Sequence, residues 1–122
     1  MLLNNFYHIV TKDLAPASAR AVITLDAGHR IFAGHFPGQP VVPGVCMMQI
    51  VRELAEQGVG KALQIRTADN MKFLSILNPT EHREVVVTVS YTPNGDHYTV
   101  DGSLSAEAIT FFKFKGTLSP AA

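Results

Sequence analysis

The stretch from Gly34 to Val45 determines how the rest of this sequence is interpreted, and it reads Gly-His-Phe-Pro-Gly-Gln-Pro-Val-Val-Pro-Gly-Val. Three prolines and three glycines fall within its first eleven residues. Because proline fixes φ and removes a backbone donor, the stretch cannot continue a helix or a central strand. The sequence therefore predicts an irregular loop with a fixed backbone path, and Pro43 stands where a helix can begin.

The residues after this loop predict one amphipathic helix, over about residues 44–57. Its apolar side chains recur three and four positions apart, at Met47, Ile50, Val51 and Leu54. This spacing places them on one face of a helix, and Gly58 with Gly60 supplies an end. The first turn is apolar on every side, so we expect the helix to begin deep in the protein and to end at its surface.

The other segments predict β-strands. Residues 18–32 roughly alternate apolar and polar side chains, which is typical of a strand with one buried face. Further strands are expected over residues 63–74, 84–91, 97–105 and 108–118, with a hairpin turn at residues 93–96. One buried helix with an antiparallel meander is an α+β arrangement in which the sheet wraps the helix.

Length and composition favour a single domain over residues 1–122. Ten acidic and ten basic residues cancel. The absence of a net charge argues against a nucleic-acid binder with a broad basic face and against a polybasic membrane anchor. It also leaves solubility poorly protected by charge, which favours an oligomer that hides part of its surface.

Cys46 is the single cysteine, so one chain can form neither a disulfide nor a thiolate zinc site. No stretch approaches the roughly 18 to 20 apolar residues of a membrane span, and the N-terminus lacks the pattern of a signal peptide. We therefore expect a cytoplasmic protein with no membrane association.

The loop closely resembles the G-H-F-P-G-x-P-x-x-P-G-V signature of the bacterial 3-hydroxyacyl-acyl carrier protein dehydratases. A looser resemblance runs from Met71-Lys72-Phe73-Leu74 to Pro79-Thr80-Glu81, where the family has a basic residue, Phe, five variable residues and Pro-Gly-Asp. The resemblance implies a hotdog fold, in which a curved antiparallel sheet of five or six strands wraps one central helix. It also implies a homodimer or a higher oligomer, with the active site at the dimer interface.

Dehydration needs a base for the C2 proton, an acid for the departing C3 hydroxyl, and donors for the charge that develops on the thioester oxygen. The resemblance implies that His35 is the base, and an imidazole suits this role near neutral pH. It implies that the backbone N–H of Gly44 is the oxyanion donor, at a helix start where free N–H groups favour negative charge. The carbonyl of Val41 corresponds to the acceptor that fixes the tautomer of the histidine.

Val41 and three further apolar residues, Phe36, Val45 and Met48, are expected to bind the substrate. By the same resemblance, Phe36 borders the acyl tunnel and Val45 belongs to the signature that forms it. Met48 could line the tunnel because methionine adapts to a flexible chain, although methionines on a central helix more often fill the core.

The acid is where this sequence departs from the family. The family has Glu or Asp fourteen residues after the histidine, commonly with Gln one helical turn later. Here those positions hold Gln49 and Glu53, so the pair is exchanged. A glutamine amide has no titratable proton to give. Our hypothesis is that Gln49 and Glu53 form a hydrogen-bonded pair in which Glu53 supplies the proton; the alternative is a surface pair with no catalytic role.

The resemblance implies a hydro-lyase that converts (3R)-hydroxyacyl-acyl carrier protein to the trans-2-enoyl thioester in fatty-acid or polyene-type synthesis, without cofactor or metal. Lys61, Arg66 and Lys72 could meet the acidic carrier protein. Two alternatives remain: a non-catalytic acyl-thioester-binding subunit that has lost the acid, and a related thioesterase.

Overall fold

The computed structural model describes residues 1–34 and 40–121. These residues form one long helix and six strands, with a short 3-10 turn at Arg30–Gly34. The elements are β1 (Tyr7–Ala15), β2 (Ser18–Leu25), α1 (Gly44–Val59), β3 (Leu63–Phe73), β4 (Glu84–Asn94), β5 (His97–Ala106) and β6 (Ile109–Pro120).

The strands form one antiparallel sheet in the order β1-β2-β4-β5-β6-β3. Helix α1 packs on one face of this curved sheet and contacts all six strands. Strands β4, β5 and β6 alternate buried and exposed residues along most of their length, as expected of a sheet with one solvated face. The predicted α+β hotdog architecture is therefore confirmed.

Helix α1 begins and ends where its flanking residues require. Pro43 precedes it with φ −62° and ψ 146°, an extended conformation. Gly60 follows it in the left-handed region at φ 82°, and its N–H donates to the carbonyl of Glu56 at 2.8 Å. Such a glycine cap is common because no Cβ opposes positive φ. The predicted helix is confirmed and runs two residues further than expected.

At the N-terminal side one strand was missed and one predicted strand was too long. Strand β1 was not expected, because the segment Tyr7–Ala15 is mostly exposed and shows no clear alternation. Strand β2 ends at Leu25 and does not continue to Phe32, because the backbone turns at Asp26, whose Oδ1 accepts a hydrogen bond from Gly28 N at 3.0 Å.

In residues 1–34 and 40–121, no helix is long and apolar enough to cross a membrane.

Candidate active site

The start of α1 presents backbone donors. Cys46 and Met47 donate to the carbonyl of Pro43 at 3.0 and 3.2 Å. Within the described part of the chain, no side chain caps the helix and the N–H groups of Gly44 and Val45 have no partner. Free amides at a helix start, together with the helix dipole, favour negative charge at this point.

An aromatic ring lies directly over this helix start. A Cβ added to Gly44 would be 2.5 Å from Cε1 of Phe73, so glycine is what allows the ring to approach. Phe73 ends β3 and packs on Phe112, with ring centroids 5.1 Å apart. The chain before the helix is held to the same region, because Val42 N donates to Leu77 O at 2.9 Å. We did not predict Phe73 as a site residue, although it is the aromatic residue of the second, looser motif.

Of the remaining predicted loop residues, the structure describes Val41 and Val45. His35 and Phe36 lie outside the described residues. The role of His35 as the base, the position of Phe36 at the tunnel border and the hydrogen bond from His35 to the Val41 carbonyl therefore stay predictions. Val41 is half-buried and Val45 is exposed. Met48 is half-buried and packs against the core, which is compatible with both roles considered for it.

Gln49 and Glu53 are hydrogen-bonded as predicted. Gln49 Nε2 donates to Glu53 Oε2 at 2.8 Å, and both residues lie on α1 one turn apart. Gln49 is half-buried and Glu53 is only 2% exposed, so this is not the surface pair of the alternative interpretation. Glu53 also has Arg52 Nη2 at 4.0 Å.

The first residues of the chain close over Glu53. We call residues 2–7 the N-terminal hook. The backbone N–H of Leu2 donates to Glu53 Oε2 at 2.9 Å, and the N–H of Leu3 donates to Oε1 at 3.0 Å. The Tyr7 hydroxyl donates to Oε1 at 2.9 Å. These contacts could not be predicted from the sequence, because two of the three donors are backbone amides.

The hook determines what Glu53 can do chemically. With Gln49 included, its two oxygens accept four hydrogen bonds, as many as a carboxylate ordinarily takes. Burial and the neighbouring charge of Glu53 raise the pKa of Tyr7 far above its ordinary value. These contacts favour a carboxylate that accepts hydrogen bonds, and proton donation by Glu53 stays a prediction.

The lysines near the chain's second motif form a cationic cluster on the outer face of the sheet. Lys72 on β3 lies directly opposite Lys113 on β6, and Lys115 is two residues further along β6. All three are exposed, and Lys115 Nζ lies 3.8 Å from Asp101 Oδ2. The other two residues of the expected docking group lie elsewhere, since Arg66 pairs with Asp96 at 3.2 Å and Lys61 lies 6.0 Å from the Tyr98 ring.

Comparison with known proteins places these features in a family. Residues 11–110 match the ApeI-like family, described as ApeI dehydratase. A 3-hydroxyacyl-[acyl-carrier-protein] dehydratase FabZ of Rickettsia rickettsii is 33% identical, over 63% of this chain and 62% of that protein. The FabZ of a Ruegeria species is 28% identical, over 75% of this chain and 67% of its own length. The match thus spans less than two thirds of the length of the Rickettsia relative.

Solved structures show the same fold. The dehydratase heterocomplex ApeI:P from Xenorhabdus doucetiae superposes with a TM-score of 0.74 at 22% identity, covering 91% of this chain and 96% of that one. An uncharacterized protein from Erwinia carotovora gives a TM-score of 0.67 at 21% identity, covering 93% and 92%. With the family match extending over most of its residues, the chain belongs to the ApeI-like dehydratase family.

Proposed function

We propose that this chain removes water from a (3R)-hydroxyacyl group on acyl carrier protein and forms the trans-2-enoyl thioester. The observation that carries the proposal is the start of α1 at Gly44, where no side chain of residues 1–34 or 40–121 caps the helix, directly after the signature loop, in a member of a dehydratase family. Free backbone donors at a helix start are suited to the oxygen of a thioester enolate.

The reaction balances with the groups of this chain. His35 takes the C2 proton, the C2–H electron pair forms the C2=C3 double bond, and the C3–O pair leaves with the hydroxyl oxygen. The N–H of Gly44 stabilises the charge that develops on the thioester oxygen. The departing hydroxyl must still receive one proton to leave as water.

This chain differs from the 3-hydroxyacyl-acyl carrier protein dehydratases in the group that can supply that proton. Gln49 occupies the acid position and is proposed to hydrogen-bond to the hydroxyl. The proton comes either from Glu53, as the exchanged pair predicts, or from the imidazolium of His35 after it has taken the C2 proton. The four hydrogen bonds that Glu53 already accepts favour the second route.

The proposal is tested by following the absorbance of the enoyl thioester with (3R)-hydroxyacyl-acyl carrier protein as substrate. We expect His35→Ala to lower kcat by about 100-fold or more, the usual contribution of a positioned acid or base. His8→Ala is the matched control, because His8 is exposed on β1. Equal rates for wild type and His35→Ala would refute the assignment of the base.

The second candidate function is a non-catalytic acyl-thioester-binding subunit, and Gln49 at the acid position is the observation that favours it. Such a subunit would bind the acylated carrier protein without removing water from its 3-hydroxyacyl group. Wild-type protein that retains carrier binding but forms no enoyl product would support this candidate over the dehydratase.

We further propose that the chain works as a dimer. A row of large apolar side chains stays exposed beside the helix start: Val45, Phe73, Leu74 and Ile76. Strand β3 is also a sheet edge with unpaired backbone groups, and both features call for a covering surface. We propose a second copy of this chain as the covering surface; the solved ApeI:P structure is a heterocomplex, so a different chain is the alternative.

The acidic carrier protein is proposed to dock on the cationic cluster of Lys72, Lys113 and Lys115. Like charges directly opposite each other destabilise an antiparallel pair, so the Lys72–Lys113 pair is unfavourable for folding alone. An acidic partner would relieve this repulsion, and the attraction between opposite charges would raise its association rate. Lys72 immediately precedes Phe73 on β3, so the cluster lies on the opposite face of the same strand end whose Phe73 ring contacts the helix start.

A further inference from the structure

We propose that the N-terminal hook and Glu53 form a positioning device that fixes the side-chain amide of Gln49. This inference rests on the proposed dehydration and concerns the same site. It assigns Glu53 and Tyr7 as positioning residues, which act on the reaction through Gln49.

The hook has a defined backbone geometry. Asn4 has φ 65°, in the left-handed region that asparagine tolerates better than most residues. Its N–H donates to Tyr7 O at 2.7 Å, and Phe6 N donates to Leu2 O at 2.8 Å. This turn directs the backbone N–H groups of Leu2 and Leu3 toward the carboxylate of Glu53.

The polarity of the network sets the orientation of Gln49. Oε1 of Glu53 accepts hydrogen bonds from the N–H of Leu3 and the hydroxyl of Tyr7, and Oε2 accepts one from the N–H of Leu2. Backbone N–H groups only donate, so they hold the carboxylate as an acceptor. Gln49 must therefore turn its NH2 toward Glu53, as it does at 2.8 Å. Its carbonyl oxygen is left for the substrate hydroxyl.

The cost of burying Glu53 supports a functional role. Among the described residues, Glu53 is the one charged side chain that is buried. A buried carboxylate is expensive to desolvate, and an apolar side chain of similar volume often gives equal or greater stability. A fully bonded network, in contrast, holds its members in one geometry. What Glu53 adds beyond an apolar residue is a fixed orientation for Gln49.

Two variants remove the device in different ways. Glu53→Gln replaces the carboxylate beside Gln49 with an amide, which has both a donor and an acceptor. Gln49 can then present either its NH2 or its carbonyl oxygen to residue 53, so its carbonyl can turn away from the substrate. Tyr7→Phe removes one donor to Glu53 and leaves Glu53 itself in place. The first variant tests the acceptor and the second tests the hook.

Each variant has a control with the same chemical change. Glu56→Gln lies on the same helix, where the carboxylate of Glu56 accepts from Arg52 at 3.1 Å and from Leu63 N at 2.8 Å. Tyr91→Phe removes another buried tyrosine hydroxyl, one that donates to Ala15 O at 3.2 Å. Neither control makes a hydrogen bond to Gln49 or to the hook, and Glu56 reaches Glu53 only through Arg52, which both carboxylates approach.

The experiment measures kcat and KM with (3R)-hydroxyacyl-acyl carrier protein and records the side-chain amide signals of Gln49 by NMR. We expect Glu53→Gln to lower kcat about 100-fold, as misplacement of a positioned group does. Tyr7→Phe should lower kcat about tenfold, equivalent to one hydrogen bond to a charged group. In both variants KM changes little and the Gln49 signals shift, whereas the two controls leave kcat and the signals unchanged.

Other results would overturn the proposal. If Glu53→Gln abolishes turnover while Tyr7→Phe changes neither kcat nor the Gln49 signals, Glu53 donates the proton directly. If Tyr7→Phe shifts the Gln49 signals without lowering kcat, the hook is structural only. If the wild type has no turnover, the proposed function fails, and the NMR signals alone then test whether the hook positions Gln49. Gln49 signals that are unchanged in Tyr7→Phe would refute the hook as well.

Discussion

At the scale of single residues, Glu53 owes its properties to its neighbours. On an exposed helix face, a glutamate four residues after a glutamine adds only a few tenths of a kcal/mol. Here the same carboxylate is buried and accepts hydrogen bonds from Leu2, Leu3, Tyr7 and Gln49. Removal of one partner from such a network leaves a buried polar group unsatisfied, which costs about 1–3 kcal/mol.

The Tyr7 hydroxyl makes stability depend on pH in the alkaline range. Burial and the charge of Glu53 raise the pKa of Tyr7 in the folded chain, whereas an unfolded tyrosine ionises near pH 10, about its ordinary value. The stability that Tyr7 contributes is therefore present below about pH 10 and is lost as the pH rises further. Urea unfolding of wild type above that pH should show a loss of up to about 1.4 kcal/mol per pH unit from this group.

Tyr7→Phe should flatten that alkaline slope, because phenylalanine has no proton to lose. Tyr98→Phe is the control, since Tyr98 is half-buried at the start of β5 and lies away from Glu53. A slope in Tyr7→Phe equal to that of wild type would show that Tyr7 is not held protonated by its surroundings.

The hydrogen bond between Gln49 and Glu53 could be predicted from the sequence, since a spacing of four residues on a helix places the two side chains together. Their burial could not. It depends on the N-terminal hook, whose donors are mainly backbone amides and whose turn depends on the conformation of Asn4. A backbone amide has no signature in a sequence.

At the scale of elements, helix α1 approaches the sheet closely at Gly102 on β5. A Cβ added there would lie 2.5 Å from Cγ1 of Val51, which is buried in the core. Glycine thus sets the distance between helix and sheet at this point, because no larger residue fits without displacing Val51.

Gly102→Ala should lower the free energy of unfolding by about 1–3 kcal/mol through overpacking, as measured by urea denaturation. The double variant Gly102→Ala/Val51→Ala should be more stable than the sum of the two single changes predicts, because the second change removes the clash. Gly28→Ala is the control, since its Cβ would meet only Asp26 Oδ1 at 3.4 Å. Strict additivity in the double variant would contradict this packing.

The Lys72–Lys113 pair predicts opposite effects on folding and on substrate recognition. Lys72→Glu turns a repulsive cross-strand pair into an attractive one and should stabilise the fold by about 0.2–1 kcal/mol. It should raise KM for carrier-bound substrate, with little change for a pantetheine thioester that lacks the protein. Lys61→Glu is the control at the other end of β3. An equal KM in wild type and Lys72→Glu would place carrier docking elsewhere.

The elements were predictable where the pattern of apolar residues is regular. Helix α1 has a clear stripe and a glycine cap, so both ends were found to within two residues. Strand β1 carries no alternation because most of its residues are exposed at a sheet edge, and it was missed. The formation of an edge strand depends on pairing with a neighbouring strand more than on burial of its side chains. The sequence of one segment does not show that pairing.

At the scale of the whole molecule, the apolar row beside the helix start is the feature that a single chain leaves unexplained. Val45, Phe73, Leu74 and Ile76 together form more apolar surface than isolated exposed residues would. The row adjoins Gly44, so whatever covers it also closes the candidate site.

Ile76→Glu should therefore separate the proposed dimer, because a charge within an apolar interface is costly to bury. Light scattering coupled to gel filtration should give a dimer mass for wild type and a monomer mass for the variant. Val10→Glu is the control, since Val10 is exposed on β1 at the opposite edge of the sheet. A monomeric wild type would mean that a different chain, not a second copy, covers the row.

The most direct test of the proposed dehydration is the intact mass of acyl carrier protein after incubation with this chain. Starting from the (3R)-hydroxyacyl form, we predict a carrier lighter by one water, with its acyl chain still attached. A carrier that has lost the whole acyl group would indicate a thioesterase. A carrier of unchanged mass, with the substrate still bound, would contradict the proposal and identify the chain as an acyl-binding subunit.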